Sequence, residues 1–324
     1  MADLSFSFFP SLFTATTAAH VEEALARGED IEKVSFVEFD DDDNIVRINE
    51  ERRGEEMGEE SPTTPLISAC QRGELKVVES LLKHGADPKH FPPGSIGGSI
   101  QIAAQQGHAA IVKLLINSGA DINDNRDGTT ALTIASCYGH VDVVDLLLSL
   151  GVDIEMKDVF GRTALMTASR WGKIDVVDRL LTAGCDVNAH DEKKFSALMW
   201  AADGRFVPII DRLVVHGADF NHQDNKGENA LMLASKNGDV DVVDRLLSLG
   251  CDVDAQEEWG WTAMSFACSR GKIEVVRMLL DHGADPSICT KRNRKPLHLA
   301  VDWPEIQTLL NGLILLSFHH HHVP

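Results

Sequence analysis

Several short stretches of this sequence hold residues that could do chemistry. His319 to His322 are consecutive imidazoles, Asp40 to Asp43 with Asn44 are clustered carboxylates, and GSIGGS at 94–99 has a phosphate loop's glycine content. Six cysteines could pair or act as nucleophiles. Each stretch lacks part of the arrangement its chemistry needs. A terminal histidine run is not a set of spaced ligands from packed elements. DDDDN has neither the glycine nor the distal glutamate of a calcium loop. GSIGGS is not followed by the lysine that reaches a bound phosphate, and reads as a stretched connection. No GxSxG, HExxH or GxxxxGK[ST] occurs, so no nucleophile, base and orienter are set to converge. The expectation is no catalytic residue, no metal and no cofactor.

The cysteines point the same way. Cys185 and Cys251 occupy one repeating position that elsewhere holds Ala or Val, which suits a small buried apolar group. There is no CxxC pair and no basic start to the apolar N-terminus MADLSFSFFPSLF, so free thiols in a reducing compartment are expected. The net charge of −20 opposes a main role on nucleic acid or anionic membrane. No apolar run reaches the roughly 18 residues of a membrane span. Charge is uneven: residues 40–60 carry ten acidic and three basic side chains, whereas 291–295 read KRNRK.

What positions the remaining side chains is a period. Leu132, Leu165, Leu198, Leu231, Met264 and Leu297 fall 33 residues apart, each followed three positions on by Ala135, Ala168, Ala201, Ala234, Ala267 or Ala300. Gly85, Gly119, Gly151, Gly184, Gly217, Gly250 and Gly283 close the units, with an aspartate two residues beyond each. Over residues 161–193, Thr163 to Ser169 read as a short helix broken by Gly172. Ile174, Val176, Val177, Leu180 and Leu181 then supply the apolar face of a longer one. Gly184 suits a left-handed helix end, and CDVNAHD a polar turn. Such a unit cannot bury its face alone, so units must stack. Asp175 with Arg179 and Asp241 with Arg245 have i,i+4 spacing, and Asp145, Asp178, Asp211 and Asp244 should form a solvated acidic row.

TPLISA at 64–69, TALTIA at 130–135, TALMTA at 163–168 and KPLHLA at 295–300, each with GAD or a variant after the second helix, resemble ankyrin repeats over about 61–318. The resemblance implies an all-α repeat solenoid, helix-turn-helix plus hairpin finger, stacked in a curved array. Lys194 in place of glycine, Pro208 in a second helix and GSIQIA in the second repeat are local departures. The expected organisation is a degenerate capping repeat at 1–32, a mobile acidic insertion at 33–60, seven repeats at 61–292, a C-terminal cap at 293–318 and a His-rich tail at 319–324. Within the insertion, VSFVEF and IVRIN have the spacing of a hairpin. The apolar ending ILLSFHHHHVP suggests that other forms of the chain end differently.

The resemblance further implies that finger tips and first-helix ends line a concave, partner-gripping surface. At those positions stand Tyr138, Phe160, Arg162, Arg170, Trp171, Phe195, Trp259, Trp261, Arg270, Lys291, Arg292 and Arg294, where the frame needs no apolar residue. Aromatic side chains beside arginine have the composition of binding hot spots. Trp200 stands apart, inside a first helix, where it can pack between repeats. A monomeric, cytoplasmic or nuclear adaptor for a protein or peptide is therefore expected. Two other roles are open: a substrate receptor of a ubiquitin ligase, and a methyl-lysine reader at Glu258, Trp259 and Trp261. LLTAGCDVNAHD resembles the sequence in which ankyrin asparagines are hydroxylated, which would place that modification on Asn188; the other reading is an Asn that stabilises its turn.

Overall fold

The computed structural model describes residues 37–39, 45–48, 64–91, 97–126 and 128–320. The expected capping repeat at 1–32 lies outside them. Of the acidic insertion, β1 (Val37–Phe39) and β2 (Ile45–Ile48) pair antiparallel, with Val37 opposite Ile48 and an irregularity between Glu38 and Phe39. The hairpin alternative thus holds for those seven residues. The rest of 33–60 lies outside the described residues.

Contacts divide the chain into Met1–Ala131 and Leu132–Pro324. In the first unit α1 (Pro65–Arg72) and α2 (Leu75–Lys83) pack as a pair, as do α3 (Ser99–Gln105) and α4 (Ala109–Asn117). The pairs stack through α1 on α3 and α2 on α4.

The second unit repeats this arrangement. Short first helices are α5 (Ala131–Tyr138), α7 (Ala164–Arg170), α9 (Ala197–Asp203), α11 (Ala230–Asn237), α13 (Ala263–Ser269) and α15 (Pro296–Leu299). Second helices are α6 (Val141–Ser149), α8 (Ile174–Thr182), α10 (Val207–Val215), α12 (Val240–Ser248), α14 (Ile273–Asp281) and α16 (Pro304–His320). From α7 to α15 each first helix packs on the next, and from α6 to α16 each second helix does the same. The periodic residues are the core: Ala168, Val176, Val177, Leu180, Ala201, Ile210 and Leu213 have no measurable exposure.

Local chemistry fixes the helix ends. Thr163, Ser196, Asn229 and Thr262 accept the backbone N–H three residues on, at 2.9–3.4 Å, which satisfies one of the free donors of each first helix. The turn between paired helices takes a left-handed residue. At Gly172 (φ 70°) an added Cβ would meet the Phe206 ring at 2.4 Å, so both backbone and space exclude a side chain. Arg205 takes that turn in the next repeat with φ 64°, and Lys194 takes a finger turn with φ 62°. The two glycine replacements therefore keep the frame and carry its strain. Pro208 falls in the first turn of α10, where its missing N–H leaves no helical bond unmade.

Two sequence expectations are corrected. Arg179 and Arg245 do not pair within their own helices. Arg179 reaches Asp145 at 3.5 Å, Arg212 reaches Asp178 at 3.6 Å and Arg245 reaches Asp211 at 2.5 Å. Neighbouring second helices lie parallel, so an arginine one register step on meets the preceding repeat's aspartate. The acidic row is consequently a ladder of ion pairs, ending at Asp244 because residue 278 is methionine. The last helix, α16, runs on through His319 and His320. The rungs are exposed, so Arg179→Ala should change the unfolding free energy by less than about 1 kcal/mol in urea denaturation. A larger loss would show the ladder to be structural.

All six cysteines are free. Burial pushes the thiols of Cys70, Cys185, Cys251 and Cys268 up to about 12, so they stay protonated and inert.

Candidate functional site

The finger tips are held from inside by a side chain that sequence inspection passed over. The Asp158 carboxylate, 8% exposed, accepts the backbone N–H of Phe160 and of Arg162 at 2.9 Å each and pairs with the Arg162 guanidinium at 2.7 Å. Asp191 accepts from Lys193 and Phe195, Asp224 from Lys226 and Glu228, and Glu257 from Trp259 and Trp261, all at 2.8–2.9 Å. Adjacent tips are joined by backbone bonds: Glu192 N–H donates to Phe160, Asn225 to Lys193, Glu258 to Lys226 and Lys291 to Trp259. A ladder of this kind pre-organises the tips, so little entropy is lost when something docks there.

Two rows of side chains stand on this support. The tip row is Phe160, Lys193, Lys226, Trp259 and Arg292, all exposed and all aromatic or cationic. The helix-end row is Tyr138, Trp171, Gly204, Asn237 and Arg270. Phe160 is 59% exposed, Trp259 57%, Trp171 53% and Tyr138 51%. Arg270, Lys291, Arg292 and Arg294 are exposed too, and none of them makes an ion pair among the described residues. Arg162 is half-buried, with its guanidinium 4.6 Å from the Phe160 ring centroid.

Phe195 and Trp261 are placed differently. Both are half-buried against the first helix of their own repeat. Phe195 lies 5.0 Å from Trp200 and Trp261 lies 5.1 Å from Phe266, centroid to centroid. A cation from the preceding repeat covers each inner ring: Arg170 at 4.2 Å over Trp200, and Lys236 at 5.4 Å over Phe266. Arg170 also lies 5.7 Å from the Trp171 ring. The two stacks, Arg170–Trp200–Phe195 and Lys236–Phe266–Trp261, are 66 residues apart at every position. The structure thus links Arg170 to Phe195 through Trp200, with Trp171 beside Arg170. It leaves Phe160 on its own finger with Arg162, and Trp259 without a ring contact among the described residues. Trp200 packs between repeats as its place in a first helix suggested, whereas the part played by Lys236 and Phe266 was missed, although their spacing is visible in the sequence.

Asn188 is exposed, and its side chain links two repeats. Its Nδ2 donates to the Gly217 carbonyl at 3.1 Å, and its Oδ1 accepts from Asp219 N at 2.9 Å. Glu155, Asn221 and Asp254 accept the same bond at the corresponding places. Away from the finger tips, an open cleft of about 610 Å³ is lined by Arg205, Val207, Pro208 and residues 238–242. There Arg205 Nε lies 2.6 Å from Asp239 Oδ1. Burial holds the Asp239 carboxyl above its ordinary range despite the nearby guanidinium. The cleft offers no nucleophile beside this pair.

Family models of ankyrin repeats match residues 66–116 and, in three overlapping copies, 100–191, 165–257 and 231–315. The chain belongs to the ankyrin-repeat family. A comparison with curated proteins finds no match. Ankyrin repeats are general protein–protein interaction modules and are typically non-catalytic. Among the described residues of this ankyrin-repeat protein, no helix is long and apolar enough to cross a membrane.

Proposed function

We propose that this ankyrin-repeat protein is a non-catalytic adaptor or scaffold, holding a protein or peptide in the groove formed by its finger tips and first-helix ends. The observation that carries the reading is the recurrence of large exposed aromatics at equivalent positions. Phe160 and Trp259 share the tip place, and Tyr138 and Trp171 the helix-end place. Single exposed hydrophobics are ordinary on any protein. Aromatic residues interleaved with unpaired cations on a rigid ladder have the make-up of an interface centre. The cations favour a partner with acidic as well as apolar groups. The overall charge of −20 favours protein over nucleic acid. The protein acts as a monomer in the cytoplasm or nucleus on this reading. A methyl-lysine cage is disfavoured because the Trp261 ring is turned onto Phe266.

Replacing Val159 and Phe160 together by serine removes apolar surface from one tip and leaves its carboxylate support intact. Affinity capture with mass spectrometry should then lose the partners held by the unaltered protein. Val215→Ser, at a site 81% exposed on the end of α10, should keep them. Partners lost equally in both variants, or in neither, overturn the assignment of this face.

A further inference from the structure

The two cation–aromatic stacks differ in one respect. Lys236 is neutralised from within its own repeat, since Glu228 Oε1 lies 3.5 Å from its Nζ. The residue in Glu228's place one stack earlier, 66 positions back, is Arg162. Its charge is opposite, and its guanidinium is already engaged with Asp158 at 2.7 Å. Arg170 therefore lacks the carboxylate that its counterpart possesses. No hydrogen bond or ion pair engages its guanidinium among the described residues. Asp203, which holds Arg170's place in the next repeat, makes no ion pair with it. The positive charge is concentrated there: Arg162, Lys173 and Arg170 all act on the Cys137 thiol of the preceding repeat.

Arg170 is nevertheless held in place. Its guanidinium rests over the Trp200 face at 4.2 Å and lies 5.7 Å from the Trp171 ring. A guanidinium held over an indole face by its central carbon keeps its N–H donors uncommitted, and their fork matches a carboxylate through two parallel bonds. The exposed Trp171 beside it offers apolar surface to a neighbouring side chain.

The geometry points to Arg170 as an anchor for a carboxylate side chain of the partner, which takes the place that Glu228 fills beside Lys236. The ligand class is a peptide segment with Asp or Glu next to a large apolar residue. This inference rests on the proposed peptide-binding role of the same face and adds the chemistry of what is recognised there.

The test uses the full chain and two pools of short synthetic peptides. Both pools are rich in Leu, Phe and Trp, and they are identical except that one fixes Glu and the other Gln at a central position. The unaltered protein should bind the Glu pool about tenfold more tightly, the effect of one charge-assisted bidentate contact. Arg170→Gln should remove that preference, and Trp171→Ala should weaken binding of both pools. Arg162→Glu should also abolish the preference, by installing an internal carboxylate while keeping Arg170. Because that change also breaks the Asp158 pair, Glu228→Gln supplies an independent arm. It frees Lys236 and should tighten binding of the Glu pool further. Binding that depends on Trp171 but does not distinguish Glu from Gln overturns the carboxylate anchor and leaves the peptide-binding face standing. Failure of either pool to bind in a Trp171-dependent way overturns both.

Discussion

Replacing Trp171 and Trp259 together by alanine is expected to weaken partner binding about 100- to 1,000-fold while helical content stays unchanged. The magnitude follows from what large aromatics at interface centres contribute, commonly about 2 kcal/mol each, with every 1.4 kcal/mol worth a factor of ten. Neither ring is part of the frame, being 53% and 57% exposed. The backbone roles of both residues survive truncation. Trp171 N–H still closes α7 on the Thr167 carbonyl, and Trp259 N–H still reaches Glu257 Oε1. Titration calorimetry with a captured partner, read beside far-ultraviolet circular dichroism, separates the two effects. Affinity unchanged in a folded double variant would remove both residues from the interface.

The second large effect concerns the frame. Leu180→Ala should destabilise the protein by about 2–5 kcal/mol, the range for emptying a fully buried leucine site. Leu180 has no exposure, and its helix α8 packs on α6, α7 and α10 at once. In an array held together only by neighbouring repeats, a cavity weakens two interfaces and can divide the unfolding transition. Urea denaturation followed by fluorescence of the five tryptophans would show a lower midpoint or a second step. A midpoint within experimental scatter of the unaltered protein would contradict close packing at that position.

The frame was legible in the sequence because its causes are local and repeated. The leucine, alanine and glycine positions each answer to a helix face, a close approach or a left-handed turn, and the structure places them there. Lys194 was visible as a glycine replacement, and the finger turn was kept at φ 62°. The lateral relations were not legible. Arg179 pairs with Asp145, 34 residues back, because two second helices lie parallel, whereas within-helix spacing suggested Asp175. Phe195 and Trp261 looked like free finger residues. Their rings are covered because Trp200 and Phe266, five residues on, stand in the first helix beneath them. The carboxylates under the finger tips, buried at Asp158, Asp191 and Glu257, were hidden among many exposed ones. Charge and exposure cannot be separated from residue type alone. The candidate surface is therefore what the ankyrin resemblance implies, filled by the aromatic and basic residues read at those positions, while the carboxylates that make it rigid show only in the structure.

The central claim is that recognition belongs to the finger tips and first-helix ends, and that the second helices only build the stack. Amide hydrogen exchange of the protein, free and bound to a captured partner, tests it most directly. The account predicts slowed exchange on binding at residues 159–162, 170–172, 258–261 and 291–294. Protection confined to the second helices, along the Asp145, Asp178 and Asp211 ladder, would contradict it.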